Sequence, residues 1–140
     1  MKKVTFTIHG NQENREGNPI PYFRTTQNGQ FSKGAKRYHA WKDFVRANFL
    51  DATRPKTRIK REDFGDFHDI IQKKPIPAAD YKQRMSLMIY WANKAHSDCD
   101  NVYKGIADAL FMNDKHLVSD GFDYEYSPEK KGRVEITLML

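Results

Sequence analysis

Cysteine is almost absent from this chain. Cys99 is the only one in 140 residues, which excludes a disulfide framework and any cysteine-based zinc finger. Long hydrophobic runs are missing too: the longest mostly apolar stretch, residues 85–92, is interrupted by Ser86 and falls far short of the about 20 residues a membrane-spanning helix needs. Met1, Lys2 and Lys3 resemble the start of a secretion signal, but Thr5, Thr7 and His9 break the stretch before an apolar segment can form. There is no internal repeat and no low-complexity segment. These absences leave one domain, residues 1–140, expected to be soluble, cytoplasmic and without a membrane partner. A chain of this length buries roughly two-thirds of its unfolded surface and needs no covalent staple.

Positive charge is what the sequence does have, and it is unevenly spread. Residues 1–84 carry 18 Lys and Arg against 9 Asp and Glu, whereas residues 85–140 carry 6 against 9. A basic half suits a polyanionic partner, because cations that meet nucleic acid release its condensed counterions. The same charge also serves a surface that is merely well solvated.

Residues 2–8 alternate, with Val4, Phe6 and Ile8 on one face, which is the period of a half-buried strand. Residues 9–34 are rich in Asn, Gln, Gly and Thr, and Pro19 and Pro21 forbid regular structure. The cations Arg15, Arg24 and Lys33 of this loop are interleaved with Tyr22, Phe23 and Phe31, a composition that fits a nucleic-acid arm and equally a surface loop with aromatics tucked onto the core. Tyr38, Trp41, Phe44, Val45 and Phe49 predict an amphipathic helix over 35–50 with Lys36, Arg37, Lys42 and Arg46 on its outer face. A basic run at 54–61 and a short helix at 64–72 follow. Residues 84–91 read as a central strand covered on both faces, residues 102–110 as a helix, and residues 117–126 and 133–140 as two closing strands paired antiparallel through 127–132. The expected fold is α/β (α+β), a small mixed sheet in the order β-α-β-α-β-β with helices packed on it.

Chemistry concentrates where the central strand hands over to its helix. Asp98 and Asp100 are one residue apart and able to converge on one hard cation, and Asp114 beyond the helix offers a third carboxylate. Magnesium takes oxygen ligands and keeps several waters, which suits metal-assisted hydrolysis of a phosphodiester. Lys104, one turn past Asp100, is placed to meet the phosphate. The bland alternative is local: Ser97-x-x-Asp100 also reads as a capping box, with Asp98 on the helix dipole and Lys104 in an ordinary i,i+4 pair. Cys99 lies between two acids that should raise its thiol pKa, a poor setting for a nucleophile.

The run Asp98-Cys99-Asp100-Asn101-Val102-Tyr103-Lys104, then Asp108-Ala109-Leu110, Asn113-Asp114 and Gly132-Arg133-Val134-Glu135, resembles the RusA family of Holliday junction resolvases. The family pattern is D-x-D-N-x-x-K, a helix ending in D-A-L, a downstream D-D and a closing G-R-hydrophobic-E strand. The resemblance covers the last third of the chain. It implies a homodimeric, magnesium-dependent endonuclease, with manganese able to substitute, that nicks four-way DNA junctions symmetrically and works at the nucleoid. Carried over, Asp98, Asp100 and Asp114 are the metal ligands and Lys104 the essential lysine; the basic first half, read from its charge, is expected to grip the DNA arms through Arg15, Arg24, Lys33, Lys36, Arg37, Lys42 and Arg46. Asn113 stands where the family has a first acid, and Asp120, Asp123 and Glu125 make the third strand unexpectedly acidic. The rival readings are a nuclease for flaps or forks and a basic protein that binds branched DNA without cutting it.

Overall fold

The computed structural model describes residues 2–25, 29, 32–53 and 73–140. The basic run at 54–61, the helix expected at 64–72 and Phe31 lie outside the described residues. The described elements are β1 (Lys3–His9), α1 (Lys33–Thr53), β2 (Gln83–Trp91), α2 (Cys99–Leu110), β3 (Leu117–Tyr126) and β4 (Arg133–Met139). They form a mixed four-stranded sheet with helices packed on it, an α+β fold as the sequence predicts.

The sheet order is β1-β4-β2-β3. β4 runs antiparallel to both β1 and β2, while β2 and β3 are parallel. This corrects the expectation that the two closing strands are hydrogen-bonded neighbours. β4 buries Val134, Ile136 and Leu138 and fits an interior position, whereas β3 carries exposed acids and aromatics, the composition of an edge. Residues 127–132 therefore form a crossing rather than a hairpin. Its path is held by Ser127 N–H donating to Trp91 O (2.8 Å) and Gly132 N–H donating to Glu16 O (2.9 Å). At Gly132 a Cβ would stand 2.0 Å from Gly17 O, so only glycine permits the close approach of the two segments.

Both helices lie over one face of the sheet. Along β2, Gln83, Met85, Leu87, Ile89 and Trp91 are buried while Arg84, Ser86, Met88 and Tyr90 are half exposed, so the central strand is covered on one face and not on two. α1 starts two residues before the expected helix and runs three beyond it, and Ser32 Oγ accepts the Ala35 N–H at 3.2 Å at its start. Its Tyr38, Trp41, Val45 and Phe49 enter the core with Ile106 and Leu110 of α2, and Phe6 meets Phe49 edge-on with ring centres 5.6 Å apart. Among the described residues no helix is long and apolar enough to cross a membrane.

Ile136 is fully buried and stands in register with Phe6 on one side and Leu87 on the other. Ile136→Ala should destabilise the fold by about 2–5 kcal/mol in urea unfolding. An unchanged midpoint would show that β4 is not the interior strand.

Candidate metal and nucleic-acid site

The junction between β2 and α2 is held from outside by the long loop after β1. Asn11, 4% exposed, orders that loop: its Oδ1 accepts the N–H groups of Glu13 (2.8 Å) and Asn14 (3.0 Å), and its Nδ2 donates to Asn18 O (2.7 Å). Asn18 passes the order on. Its Oδ1 accepts the Ala92 N–H at 2.6 Å, and its Nδ2 donates to Asn93 Oδ1 (3.2 Å) and Ala95 O (3.3 Å). Further along, Tyr22 N–H donates to Asn101 O (2.9 Å) and its ring meets Tyr38 edge-on, so the loop docks on the first turn of α2.

Asp98 occupies the N-cap position of α2 with extended backbone, φ −70° and ψ 145°, yet its side chain makes no capping hydrogen bond. The capping box Ser97-x-x-Asp100 does not form, because the helix begins one residue later than that pattern requires. Ser97 Oγ, its would-be capping atom, is buried and has no hydrogen-bond partner among the described residues. Asp98 and Asp100 both lie exposed, and Asp100 Oδ2 faces Lys104 Nζ at 3.8 Å in a solvent-open i,i+4 pair. Burial pushes the Cys99 thiol pKa up, and Asp98, Asp100 and Asp123 add to the shift, as the flanking acids predict.

Asp114 stands beyond the other end of the helix. Its carbonyl accepts the Leu117 N–H at 3.0 Å, and Asn113 Oδ1 accepts the Lys115 N–H at 3.0 Å, so the amide that replaces an acid builds the turn into β3. Asp114 and Lys104 face one cleft of about 460 Å³, whose other walls include Tyr22, Tyr103, Asp108 and Ser119. The structure thus brings Asp100 to Lys104 and Lys104 to the cleft of Asp114. Asp98 and Asp114 flank α2, one just before its first residue and one four residues past its last. Among the described residues no three His, Cys, Asp or Glu side chains are grouped to hold a metal ion.

A further acid organises the cleft, one that the sequence shows only as part of the Asp108-Ala109-Leu110 run. Asp108 accepts the Tyr38 hydroxyl at 2.7 Å and pairs with Lys42 (3.3 Å) and Lys74 (3.1 Å). Burial works to raise its pKa, but Tyr38, Lys42 and Lys74 outweigh it and hold the carboxyl below its ordinary range. The spacing from Lys104 to Asp108 marks the helix face, but nothing local in sequence points to Tyr38, Lys42 or Lys74.

The expected DNA-contacting cations divide. Arg15, Arg24, Lys33, Lys36 and Arg37 are exposed, Arg37 while paired with Glu13 at 2.6 Å. Arg46 corrects its assignment to the outer face: it is 5% exposed, donating from Nε to Ala109 O (2.7 Å) and pairing with Asp43 (3.0 Å). Lys42 turns inward as well, 13% exposed at its side chain, over the Tyr38 ring and against Asp108. A helix packed on two neighbours has less free circumference than one packed on a sheet alone, so these two cations fasten α1 to α2. On the third strand, Asp120 is bound by Arg84 in a two-point ion pair, which draws its pKa down.

No family model matches this chain, and no curated protein matches it in sequence.

Two outcomes test these assignments. Because Asp98 makes no cap bond, Asp98→Ala should cost at most about 0.5 kcal/mol in metal-free buffer with enough salt to screen the helix dipole, where a working cap would cost about 1 kcal/mol. The depressed Asp108 carboxyl contributes stability above the usual carboxylate range and loses it as pH falls through its own lowered value. Asp108→Asn should therefore lower the melting temperature at about pH 7 and flatten its decline towards pH 3, read by thermal unfolding across that range.

Proposed function

We propose that this chain is a magnesium-dependent, structure-selective DNA endonuclease that resolves four-way junctions by paired, symmetric nicks as a homodimer. The reading places it in the cytoplasm at the nucleoid, with manganese able to replace magnesium. The observation that carries it is the D-x-D-N-x-x-K run at a strand-to-helix junction, with an N-cap carboxylate that makes no cap bond and a lysine sharing a cleft with the downstream acid.

Carboxylates suit a hard cation, and Asp98, Asp100 and Asp114 would hold it. Bound there, the ion would lower the pKa of the attacking water and offset charge on the phosphodiester. Two such sites related by a two-fold axis match a substrate cut at two symmetric positions. Lys104 is paired with Asp100 only at 3.8 Å and in solvent, which leaves its ammonium available to a phosphate. Arg15, Arg24, Lys33 and Lys36 supply the sequence-independent grip on the arms. That no three acids are grouped for a metal ion among the described residues favours a second reading, a protein that binds branched DNA without cutting it.

Nicking of a synthetic four-way junction in magnesium separates the two. Lys104→Ala should slow cleavage on the order of 100-fold with junction affinity nearly unchanged, since one cation among many adds little to binding while charge in the transition state is local. Cleavage by this variant at the wild-type rate would reduce Lys104 to a surface ion-pair partner. Junction binding without nicking by the wild type would establish the second reading.

A further inference from the structure

An ordered set of rings stands next to the D-x-D segment, and nothing in the proposed chemistry uses it. Phe122, Tyr124 and Tyr126 of the edge strand β3 are exposed at 43%, 48% and 45%. Simple alternation from Leu117 and Ser119 would turn these rings away from the helices. The register against β2 shifts between Met85 and Leu87, opposite Gly121 at φ +90°, and after this bulge Phe122, Tyr124 and Tyr126 pair with Leu87, Ile89 and Trp91. The bulge thus moves the three rings to the helix-covered side of the sheet and sends Asp123 and Glu125 to the other.

The rings are fixed from behind. Tyr124 and Tyr126 meet edge-on with centres 6.0 Å apart, and His96 lies 5.6 Å from Tyr126 and 6.3 Å from Tyr124. His96 is itself stacked on the buried Trp91 at 4.1 Å and 10°. Its Nδ1 donates to Ser97 O at 2.8 Å and its Nε2 shares a hydrogen bond with the Tyr126 hydroxyl at 2.9 Å. A line of rings therefore runs from the core at Trp91 to the surface at Tyr124, and Asp98 follows His96 by two residues.

We infer that Tyr124 and Tyr126 form a stacking platform for an unpaired nucleobase of the DNA beside the cleaved phosphate, an inference that rests on the nuclease reading. Asp98 and Asp100 nearby disfavour a phosphate on these rings but not the neutral face of a base. Aromatic faces accept any base, so the platform reads strand structure and not sequence. Bases inside a continuous duplex are already stacked and paired, whereas a branch point offers bases that unstack at low cost. Selectivity for branched over linear DNA then comes in part from β3.

The test is a four-way junction with 2-aminopurine at the branch point, bound in calcium so that it is not cut, with the matching linear duplex as control. The wild type should quench the 2-aminopurine emission on binding. Tyr124→Ala, an exposed edge position, should abolish the quenching and weaken junction affinity roughly 5- to 150-fold while leaving duplex affinity within about twofold. Tyr124→Trp should restore both. The platform is overturned if Tyr124→Ala quenches and binds like the wild type, if it weakens junction and duplex equally, or if sedimentation shows that it dissociates the dimer, which would make the rings an interface between copies. A wild type that cuts the junction in magnesium but leaves 2-aminopurine unquenched overturns the platform alone, and one that binds no junction overturns the nuclease reading with it.

Discussion

Two parallel strands cannot be joined by a tight turn, and the pairing of β2 with β3 imposes that constraint on the chemistry-bearing third of this protein. The chain must leave the end of β2, travel back over the sheet and begin β3 at the other end. α2 is that return path, and every residue of the D-x-D-N-x-x-K run is positioned by it. Asp98 and Asp100 fall at its start because β2 ends there, and Asp114 falls after its end because β3 begins there. Lys104 and Asp108, one turn apart, face the cleft between them. Where the acids fall is thus a property of the topology and not of side-chain choice.

Sequence patterning conveyed the elements that bury one clean face. β1 and β4 alternate without interruption, and α1 and α2 repeat their apolar residues at helical spacing, so their identity follows from burial alone. Which strands are neighbours did not follow. β4 inserts between β1 and β2 because its Val134, Ile136 and Leu138 complete a face shared by three strands, a preference visible only when all three are compared. The bulge at Gly121 was equally hidden, since one extra residue changes which face a side chain takes without changing composition. Long-range partners were least legible: Arg46 and Lys42 look like surface cations on a helical wheel, and only the arrival of Ala109 and Asp108 from α2 turns them inward.

The two burials of charge work in opposite senses. Lys42 is drawn down in pKa first by its burial, with Asp108 opposing that shift, while Asp108 is held ionised by the cations it faces. Each group makes the other's charged form tolerable in a setting that neither would accept alone. The Tyr38 hydroxyl, pushed strongly upward in pKa by burial and then by Asp108, stays a proton donor throughout the physiological range. One wall of the cleft is therefore electrostatically closed on itself, while Lys104 and Asp114 stay exposed at its rim.

The loop that Asn11 and Asn18 hold in place bears on kinetics. Asn11 closes its turn, Gly17 and Gly132 allow it to lie against the approach to β4, and Asn18 ties it to the segment before α2. A segment ordered in this way has already lost its conformational entropy during folding, so it does not have to lose it again on meeting a ligand. On the function proposed above, association through Arg15 would be governed by diffusion and long-range charge, with no slow ordering step after encounter.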